Sequence, residues 1–423
     1  MSTLDRRHFL QTTAAATTLT ALTAAGAAKK PGEKIVLAVM GVHGRGRGLL
    51  SGFSSLDGTE IAWLIDPDAN VLPAAVKIVE DKQKRTPKTE KDVRKVLEEK
   101  DIDALVIAAP DHWHALATVW ACQAGKHVYV EKPISHNVVE GRRMVEAARK
   151  HKRAVQAGTQ RRSGAHILSA AEFVRSGKLG KVPFVRTWIA GDRKTIGHKK
   201  DAPVPAGVDY DLWLGPAPQR AFNPNRFHYN WHWNWDYGTG ELGNNGIHAL
   251  DVVRMVLDLD APLRITGAGG KFFYDDDQQT PDTQLATFDF PACTVLWEHR
   301  IWAKTGVEGE PWGVTLYGEK GTLVFDRKGW HVADGVQASD KETAIERPHL
   351  QNFLDSIREG KRPNADIEEG HKSTRLCHLG NIAFRTGRAL RFDAKTETIV
   401  DDAEANRLLG RTYRAPFVLP EKV

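Results

Sequence analysis

Cysteine is scarce in this chain, and its scarcity excludes two classes of protein. Among 423 residues there are three cysteines, Cys122, Cys293 and Cys377, which lie far apart and form no C-x-x-C pair. A disulfide scaffold needs an even set of cysteines, and a zinc site of the finger type needs paired thiolates. We therefore expect three small core residues and no metal site.

A charge stripe and internal repeats are also lacking. The net charge is +6, but the basic residues 149–153 close a predicted helix, where cations complement the helix dipole. The acidic stretch at 274–282 lacks the regular ligand spacing of a calcium loop. We therefore expect neither a nucleic-acid partner nor a bound cation at these segments.

A strongly apolar run long enough to cross a membrane, about 20 residues, is missing as well. Residues 1–27 instead carry paired arginines at 6–7, Phe-Leu at 9–10, a threonine-diluted Ala/Leu run and Ala-Gly-Ala at 25–27. This segment resembles a twin-arginine export signal. The resemblance implies folded export by the twin-arginine machinery, a periplasmic or extracellular location and no membrane insertion after cleavage; a disordered basic tail is the alternative.

The remaining length and 41% hydrophobic content predict two domains. Residues 32–160 alternate apolar runs with amphipathic stretches, which predicts a doubly wound parallel sheet of the Rossmann type, with its ligand at the carboxyl ends of the strands. The strands are expected at KIVLAVM, EIAWLID, ALVIAAP, KHVYVE and RAVQAGT, and helices near 45–53, 89–99, 112–124 and 137–151.

Residues 161–390 have a different pattern. A helix at 163–176 is followed by strand-like runs without long helices between them, and helical periodicity returns at 347–359 and 366–388. We predict an α+β domain with a mostly antiparallel open sheet, which binds substrate and could join copies into a homo-oligomer. Residues 391–423 are expected to pack as a tail on the domains.

The stretch VMGVHGRGRGLL follows the first strand and opens a helix, where free backbone N–H groups and the helix dipole favour phosphate. The usual dinucleotide spacing is Gly-x-Gly-x-x-Gly; Gly41 and Gly46 fill its outer positions, while His43 stands at the middle one. Gly44 adds flexibility and Arg45 follows it. We expect these residues to bind the cofactor.

Asp66 ends the second strand, where a carboxylate accepts the ribose hydroxyls and repels a 2'-phosphate. This position favours NAD over NADP. Two alternatives stay open: Asp66 is a turn residue before Pro67, or Arg45 and Arg47 recruit a 2'-phosphate.

Four motifs together resemble the family of glucose-fructose oxidoreductase, inositol dehydrogenase and MocA-like proteins. They are the glycine turn, AAPDHWH at 108–114, EKP at 131–133 and GELGNNGIHALD at 240–251. The resemblance implies that Pro110 and His114 line the nicotinamide, and that Lys132, oriented by Glu131, reaches both the nicotinamide ribose and the substrate hydroxyl. A lysine in that place can hydrogen-bond a developing alkoxide.

A predicted helix from about residue 244 places Asn244, His248 and Asp251 on one face. The family's dehydrogenases usually carry Asp-x-Gly-x-His here, and this chain has asparagine in place of the aspartate. We expect His248 and Lys132 to exchange the proton, with Asn244 and Asp251 binding substrate. A core histidine that holds the helix is the competing interpretation.

An aromatic segment just before this helix favours a sugar as substrate. In an extended chain Trp231, Trp233 and Trp235 share one face, and aromatic faces complement the C–H surface of a pyranose. A buried tryptophan stripe is the alternative. The expected substrate-binding residues are Gln160 and Arg161 at the domain junction together with Trp233, Trp235 and Tyr237.

An exported enzyme cannot exchange NADH with the cytoplasm, so each turnover has to return the hydride to a retained cofactor. One mechanism oxidises a sugar hydroxyl and reduces a second carbonyl compound. Another oxidises C3 of a glycoside, eliminates the aglycone, adds water and reduces the ketone, as in the NAD-dependent glycosidases that this chain also resembles. A non-catalytic sugar-binding protein is the third hypothesis, favoured by His43 and Asn244.

Overall fold

A computed structural model describes residues 33–423, and the signal predicted at residues 1–27 lies outside them. The first domain is a parallel six-stranded sheet in the order β3-β2-β1-β4-β5-β6, which confirms the doubly wound prediction. Its elements are β1 (Ile35–Met40), α1 (Arg45–Phe53), β2 (Thr59–Ile65), α2 (Leu72–Gln83), β3 (Lys88–Glu90), α3 (Val93–Leu97), β4 (Ala104–Ile107), α4 (Asp111–Gln123), β5 (His127–Val130), α5 (Val138–Lys150) and β6 (Val155–Ala157).

The helix predicted near 89–99 is wrong in its first turn. Lys88–Glu90 pairs with β2 as an edge strand, and the helix begins only at Val93, where Asp92 accepts the Arg94 N–H as its cap. A three-residue strand with mostly exposed side chains carries no apolar pattern that sequence could reveal. The helix α2 was not predicted either.

Strand β1 shows why the first sheet is apolar throughout. Leu37 and Val39 pack with the core formed by α1 and α2, whereas Ala38 and Met40 pack with the core formed by α4 and α5. Alternate residues point to opposite faces, and helices cover both.

The second domain is a ten-stranded sheet in the order β14-β13-β12-β11-β7-β10-β9-β8-β15-β16. Only β7 and β10 pair in parallel among its described strands. Its elements are α6 (Ala165–Arg175), β7 (Phe184–Ala190), α7 (Tyr210–Leu214), α8 (Ile247–Leu257), β8 (Arg264–Gly270), β9 (Thr283–Asp289), β10 (Thr294–Arg300), β11 (Trp312–Gly318), β12 (Gly321–Asp326), β13 (Gly329–Gly335), β14 (Ser339–Lys341), α9 (Glu346–Glu359), α10 (Ile367–Thr386), β15 (Leu390–Asp393), β16 (Thr398–Ile399) and α11 (Ala403–Arg407).

The two faces of this sheet differ in burial. Ala286, Phe288 and Trp297 are buried in the core that α8 and α10 cover. On β9 the neighbouring Leu285 points the other way and is 43% exposed. Self-association through this second face stays a prediction.

The two domains are interlocked by exchanged elements. Helix α9, from the second half of the chain, packs on the first sheet, where Phe353 contacts Phe53 and Tyr129 at ring-centroid distances of 6.2 and 5.9 Å. Phe417 of the C-terminal tail packs against Trp113 of α4. These contacts set the position of the cleft between the domains. Across residues 33–423, every helix is too short or too polar to cross a bilayer.

Candidate functional site

The glycine turn lies at the carboxyl end of β1, as the sequence predicts for a pyrophosphate turn. Gly41 has φ +81°, and a Cβ there would lie 2.6 Å from the backbone of Ala108 and Ala109. A Cβ on Gly46 would lie 1.9 Å from the Gly41 carbonyl oxygen. The absence of a side chain at Gly41 lets the turn pass directly over the end of β4. The absence of one at Gly46 lets α1 begin against the turn.

His43 does not fill the turn. Its imidazole points toward the second domain and lies 4.8 Å from the ring of His228, whose Nε2 is 3.0 Å from the Asp68 carboxylate. Within residues 33–423 the backbone N–H groups of His43 and Gly44 donate to no acceptor, and the space beside Gly44 is open. The turn therefore fits a dinucleotide phosphate despite the missing middle glycine.

Asp66 lies at the end of β2 beside this turn. Its carboxylate accepts N–H groups of Val42 and Asp68, both at 3.0 Å, and burial raises its pKa to about 6. Arg45, the nearby candidate for a 2'-phosphate, is bound instead to Glu131 at 2.7 Å and to Glu346 at 2.8 Å. Both features suit an unphosphorylated ribose.

Lys132 follows β5, and the Lys132–Pro133 peptide is cis. Its Nζ donates to the Asn244 carbonyl at 2.6 Å and contacts the Asn244 side-chain oxygen at 3.3 Å. Burial lowers the pKa of Lys132, while the neighbouring Glu131 carboxylate opposes that shift. Glu131 also accepts the Lys132 backbone N–H and the Arg45 guanidinium. An ammonium so placed gives up its proton more readily than a surface lysine.

The helix predicted from residue 244 begins differently. Leu242–Gly246 is a π-helical turn, and the α-helix starts at Ile247. Single π turns inside helices are frequent at functional sites. Here the turn brings Asn244 to Lys132, while Glu241 accepts the side-chain amides of Asn244 and Asn245.

His248 and Asp251 have separate surroundings. His248 is partly buried, its Nδ1 is inaccessible and lacks a partner among residues 33–423, and burial together with the Lys132 charge lowers its pKa well below the usual value. Asp251 is 1% exposed and accepts both Arg162 Nε, at 2.9 Å, and the Ser373 hydroxyl. The structure therefore uses Asp251 in an ion pair that fixes α8.

His114 and Pro110 lie at the start of α4. The Nδ1 of His114 is 2.7 Å from the Pro133 carbonyl, and its Nε2 is 2.7 Å from the Ala109 carbonyl. A neutral ring donates to one carbonyl at a time, and burial lowers the pKa of His114. The histidine thus ties the loop after Lys132 to the end of β4.

The extended segment predicted for the tryptophans is wrong. His228–Trp233 is a 3₁₀ helix, so alternate residues do not share a face. Of the three aromatic side chains expected to bind sugar, Trp233 and Tyr237 are buried, at 4% and 0% exposure. The ring of the third, Trp235, lies under the guanidinium of Arg385.

The other expected substrate residues lie at the domain junction. The Arg161 guanidinium stacks 3.9 Å from the centre of the Trp312 ring, and the side-chain oxygen of Gln160 is buried without a partner in the described chain. Arg161 contributes to the low pKa of His248. These side chains border the region of His248 rather than the glycine turn.

A single cleft of about 1410 Å³, its open mouth included, joins these parts. Its lining includes Gly41, His43, Gly44, Arg45, Asp66, Pro110, Asp111, His114, Glu131, Lys132, Trp213, His228, Tyr229, Trp231, His232 and Asn244. The cleft therefore runs from the glycine turn of the first domain to the π turn and the 3₁₀ segment of the second domain.

Six of these lining residues were not predicted as site residues: Asp111, Trp213, His228, Tyr229, Trp231 and His232. Tyr229 and Trp231 present aromatic faces at the cleft, and His232 stacks on Trp231 at 3.6 Å while its Nδ1 lies 2.5 Å from the Tyr229 carbonyl. The aromatic sequence pointed to this segment, but the choice of residues depends on the 3₁₀ twist. Residues 33–423 contain no cluster of three or more potential metal ligands.

Comparison with known families agrees with this geometry. Residues 35–159 match the family model described as oxidoreductase family, NAD-binding Rossmann fold, and residues 187–296 and 313–419 match its C-terminal alpha/beta domain. The chain belongs to the Gfo/Idh/MocA oxidoreductase family. Its first domain is therefore an NAD-binding Rossmann domain, as predicted.

Individual relatives span different shares of the chain. An uncharacterized oxidoreductase, YrbE of Bacillus subtilis, is 36% identical over 308 residues, 71% of this chain and 77% of that one. A glycosyl hydrolase family 109 protein of Shewanella pealeana is 30% identical over 202 residues, so the match spans 44% of that relative and 42% of this chain. The aldose-aldose oxidoreductase of Caulobacter crescentus has the same fold, with a TM-score of 0.66 and 20% identity over 85% of this chain and 100% of that one.

Gly41→Ala should abolish nucleotide binding, because the new Cβ would meet backbone at 2.6 Å and the φ of +81° is strained for alanine. Gly48→Ala is the matched control, since the new Cβ would lie 3.6 Å from the flexible end of the Arg45 side chain. Titration calorimetry with NAD measures both. Undiminished affinity in Gly41→Ala would contradict the assignment of the turn.

The Asp66 carboxyl should lower the stability of the nucleotide-free protein as the pH rises from about 4 to about 6, whereas buried histidines with lowered pKa values, such as His112 and His378, act in the opposite direction. The folded-state pKa of Asp66 is about 6 against an ordinary 3.8, so the folded protein holds a proton there that the unfolded chain releases. Asp66→Asn should remove roughly 3 kcal/mol of this dependence. Denaturant unfolding across this pH range measures the slope, which the exposed-site control Asp57→Asn should leave intact.

Proposed function

We propose that this protein transfers a hydride between a retained NAD and a hydroxyl or carbonyl group of a sugar or sugar derivative. The observation that carries this proposal is the position of Lys132. Its Nζ lies in the cleft that begins at the glycine turn and ends at the π turn of Asn244. A proton-exchanging amine at that place serves the interconversion of alcohol and carbonyl.

The proposed role of each residue follows from its position in the cleft. Bound NAD would supply the hydride acceptor and donor. Free N–H groups of His43 and Gly44 would hold its phosphates, and Asp66 would accept its ribose hydroxyls. Lys132 takes the substrate hydroxyl proton and returns it to the alkoxide, and Asn244 holds the Lys132 amine in place.

A sugar is the substrate class that the cleft fits best. Tyr229 and Trp231 offer aromatic faces for pyranose C–H groups, and His232 and Asn244 offer hydrogen-bonding groups for hydroxyls. His248, Gln160 and Arg161 stay predicted substrate residues, although the lining of the cleft does not include them. Relatives named for aldose or glycoside chemistry support the same class.

An exported enzyme has to retain its cofactor, and the second domain covers part of the cleft in which the cofactor would lie. The predicted twin-arginine signal would deliver the folded protein, with its cofactor, to the periplasm or the exterior. Trp213 and His228 of the second domain line the same cleft as the glycine turn, and His228 reaches Asp68 across it. Such cover would slow cofactor loss, so the hydride is returned within each cycle.

A glycosidase that uses transient C3 oxidation is the second candidate. It is favoured by the likeness to glycosyl hydrolase family 109 proteins. Its cycle needs a base for the C2 proton in addition to Lys132. His232, with Nδ1 beside the Tyr229 carbonyl and Nε2 without a described partner, is the nearest cleft residue of that type.

Lys132→Met should keep its nucleotide and lose hydride transfer, by at least about 100-fold, because a methionine exchanges no proton. Denaturing the purified protein and counting released nucleotide by mass spectrometry gives the first readout. Nicotinamide absorbance with a panel of aldoses, measured in single turnovers, gives the second.

Lys91→Met is the control, since Lys91 lies at the same cleft but pairs with Asp209 at 2.7 Å. It should retain the wild-type rate. A wild-type rate in Lys132→Met would overturn the role of Lys132, and a wild type that neither carries nor binds NAD would overturn the proposed function.

Cleavage of p-nitrophenyl glycosides in heavy water separates the two candidates. Elimination and rehydration should place deuterium at C2 of the released sugar, because the C2 proton exchanges with solvent in that cycle. Net oxidoreduction instead should leave the glycoside uncleaved. NMR of the released sugar measures the deuterium at C2. Cleavage that leaves no deuterium there would exclude the elimination scheme.

A further inference from the structure

Among residues 33–423, four carboxylates line the cleft, and three of them have both oxygens bound. Asp66 accepts two backbone N–H groups, Asp92 accepts the Arg94 guanidinium, and Glu131 accepts Arg45 and the Lys132 N–H. The fourth is Asp111, the first residue of α4. Its Oδ1 is inaccessible and finds no partner within residues 33–423.

Asp111 is held in place through its other oxygen. Oδ2 accepts the Thr239 hydroxyl at 3.0 Å, which joins the first domain to the chain just before the π turn. The residue is 1% exposed. A buried carboxyl oxygen without a hydrogen-bond partner destabilises the folded protein. Groups of this kind occur most often at functional sites.

Asp111 and Lys132 are electrostatic neighbours. Both side chains line the same cleft, and both bind the segment around the π turn, Asp111 through Thr239 and Lys132 through Asn244. The Lys132 charge lowers the pKa of Asp111, and the Asp111 charge raises that of Lys132. Glu140 of α5 repels the Asp111 charge, and burial raises the pKa of Asp111 well above the usual range. Burial moves the lysine the opposite way, so the two groups approach each other in proton affinity.

The other ionisable groups near the pair are bound or neutral. Arg45 is bound to Glu131 and Glu346, and burial lowers the pKa of His248. Glu241 lies behind the π turn and is bound to Arg193. His114 on α4 and His232 on the 3₁₀ segment both have lowered pKa values from burial, so they remain neutral at neutral pH. Asn244, beside the Lys132 amine, is an amide and does not ionise.

We propose that Asp111 and Lys132 form one proton-holding pair, in which Asp111 supplies the carboxylate that residue 244 cannot. The inference rests on the proposed hydride transfer. At rest the pair holds one proton. When the substrate O–H bond breaks, its proton joins the pair, while the C–H electron pair leaves as hydride to the nicotinamide, and both return in the reductive step.

The pair is tested without a substrate by the pKa of Lys132. Reductive methylation with ¹³C-formaldehyde labels lysines, and the Lys132→Arg spectrum assigns the resonance of Lys132. Asp111→Asn removes a negative neighbour, so the pKa of Lys132 should fall by about one pH unit or more. Asn244→Asp added to Asp111→Asn should restore it, because Asn244 Oδ1 already lies 3.3 Å from Nζ.

Asp92→Asn is the matched control, since Asp92 lines the same cleft but is bound to Arg94. It should leave the Lys132 resonance unchanged. An unchanged pKa in Asp111→Asn would overturn the pair. If that variant does not fold, infrared titrations of the wild type and Lys132→Met decide: loss of the Lys132 charge should move one carboxyl band to higher pH, and unmoved carboxyl bands would overturn the pair.

Single-turnover hydride transfer supplies the functional readout, with the sugar found in the aldose panel. Asp111→Asn should slow it by about 100-fold with its nucleotide content unchanged, and Asn244→Asp should rescue much of that loss. Slow transfer without rescue would overturn the proton role and leave Asp111 a structural residue. Loss of the proposed function would instead appear as a wild type without NAD, and the Lys132 titration would still decide the pair.

Discussion

The hydrogen bond from Lys132 to the Asn244 carbonyl is the interaction on which the site depends. It crosses the domain junction at 2.6 Å and joins the end of β5 to the π turn before α8. A buried amine needs such a partner, because desolvation would otherwise favour its neutral form still more. Each domain thus supplies half of one reactive position.

Several contacts outside the cleft keep these halves in register. Helix α9 packs its Phe353 against the first sheet, and the Arg162–Asp251 ion pair fixes α8 at its buried face. Removing one partner of such a buried pair would leave an uncompensated charge, which costs far more than an exposed pair. The cleft geometry is therefore a property of the whole interlocked chain.

The cofactor half and the substrate half follow different physical rules. The glycine turn needs backbone groups and close approach, which explains why His43 is tolerated: its side chain leaves toward His228 and its N–H stays free. The substrate half needs particular side chains. There the 3₁₀ segment presents Tyr229 and Trp231 and buries Trp233.

Local patterns in the sequence were enough for the first domain and for the ends of its strands. Continuous apolar runs between turn residues predict a parallel sheet, and Gly41, Asp66 and Lys132 then follow as the residues after strands, where ligands bind. The short edge strand β3 was not predicted because three mostly exposed residues have no hydrophobic periodicity. Helix α2 was not predicted from the sequence either.

The sequence by itself therefore determined the fold class, the family and the place of the glycine turn after β1, since each depends on neighbours in the chain. Only the tertiary structure decided which polar groups are paired. It bound Asp251 to Arg162, buried Tyr237 in the core and left an Asp111 oxygen without a described partner in the cleft that Lys132 also lines. Such pairing joins residues far apart along the chain, and no local pattern encodes it.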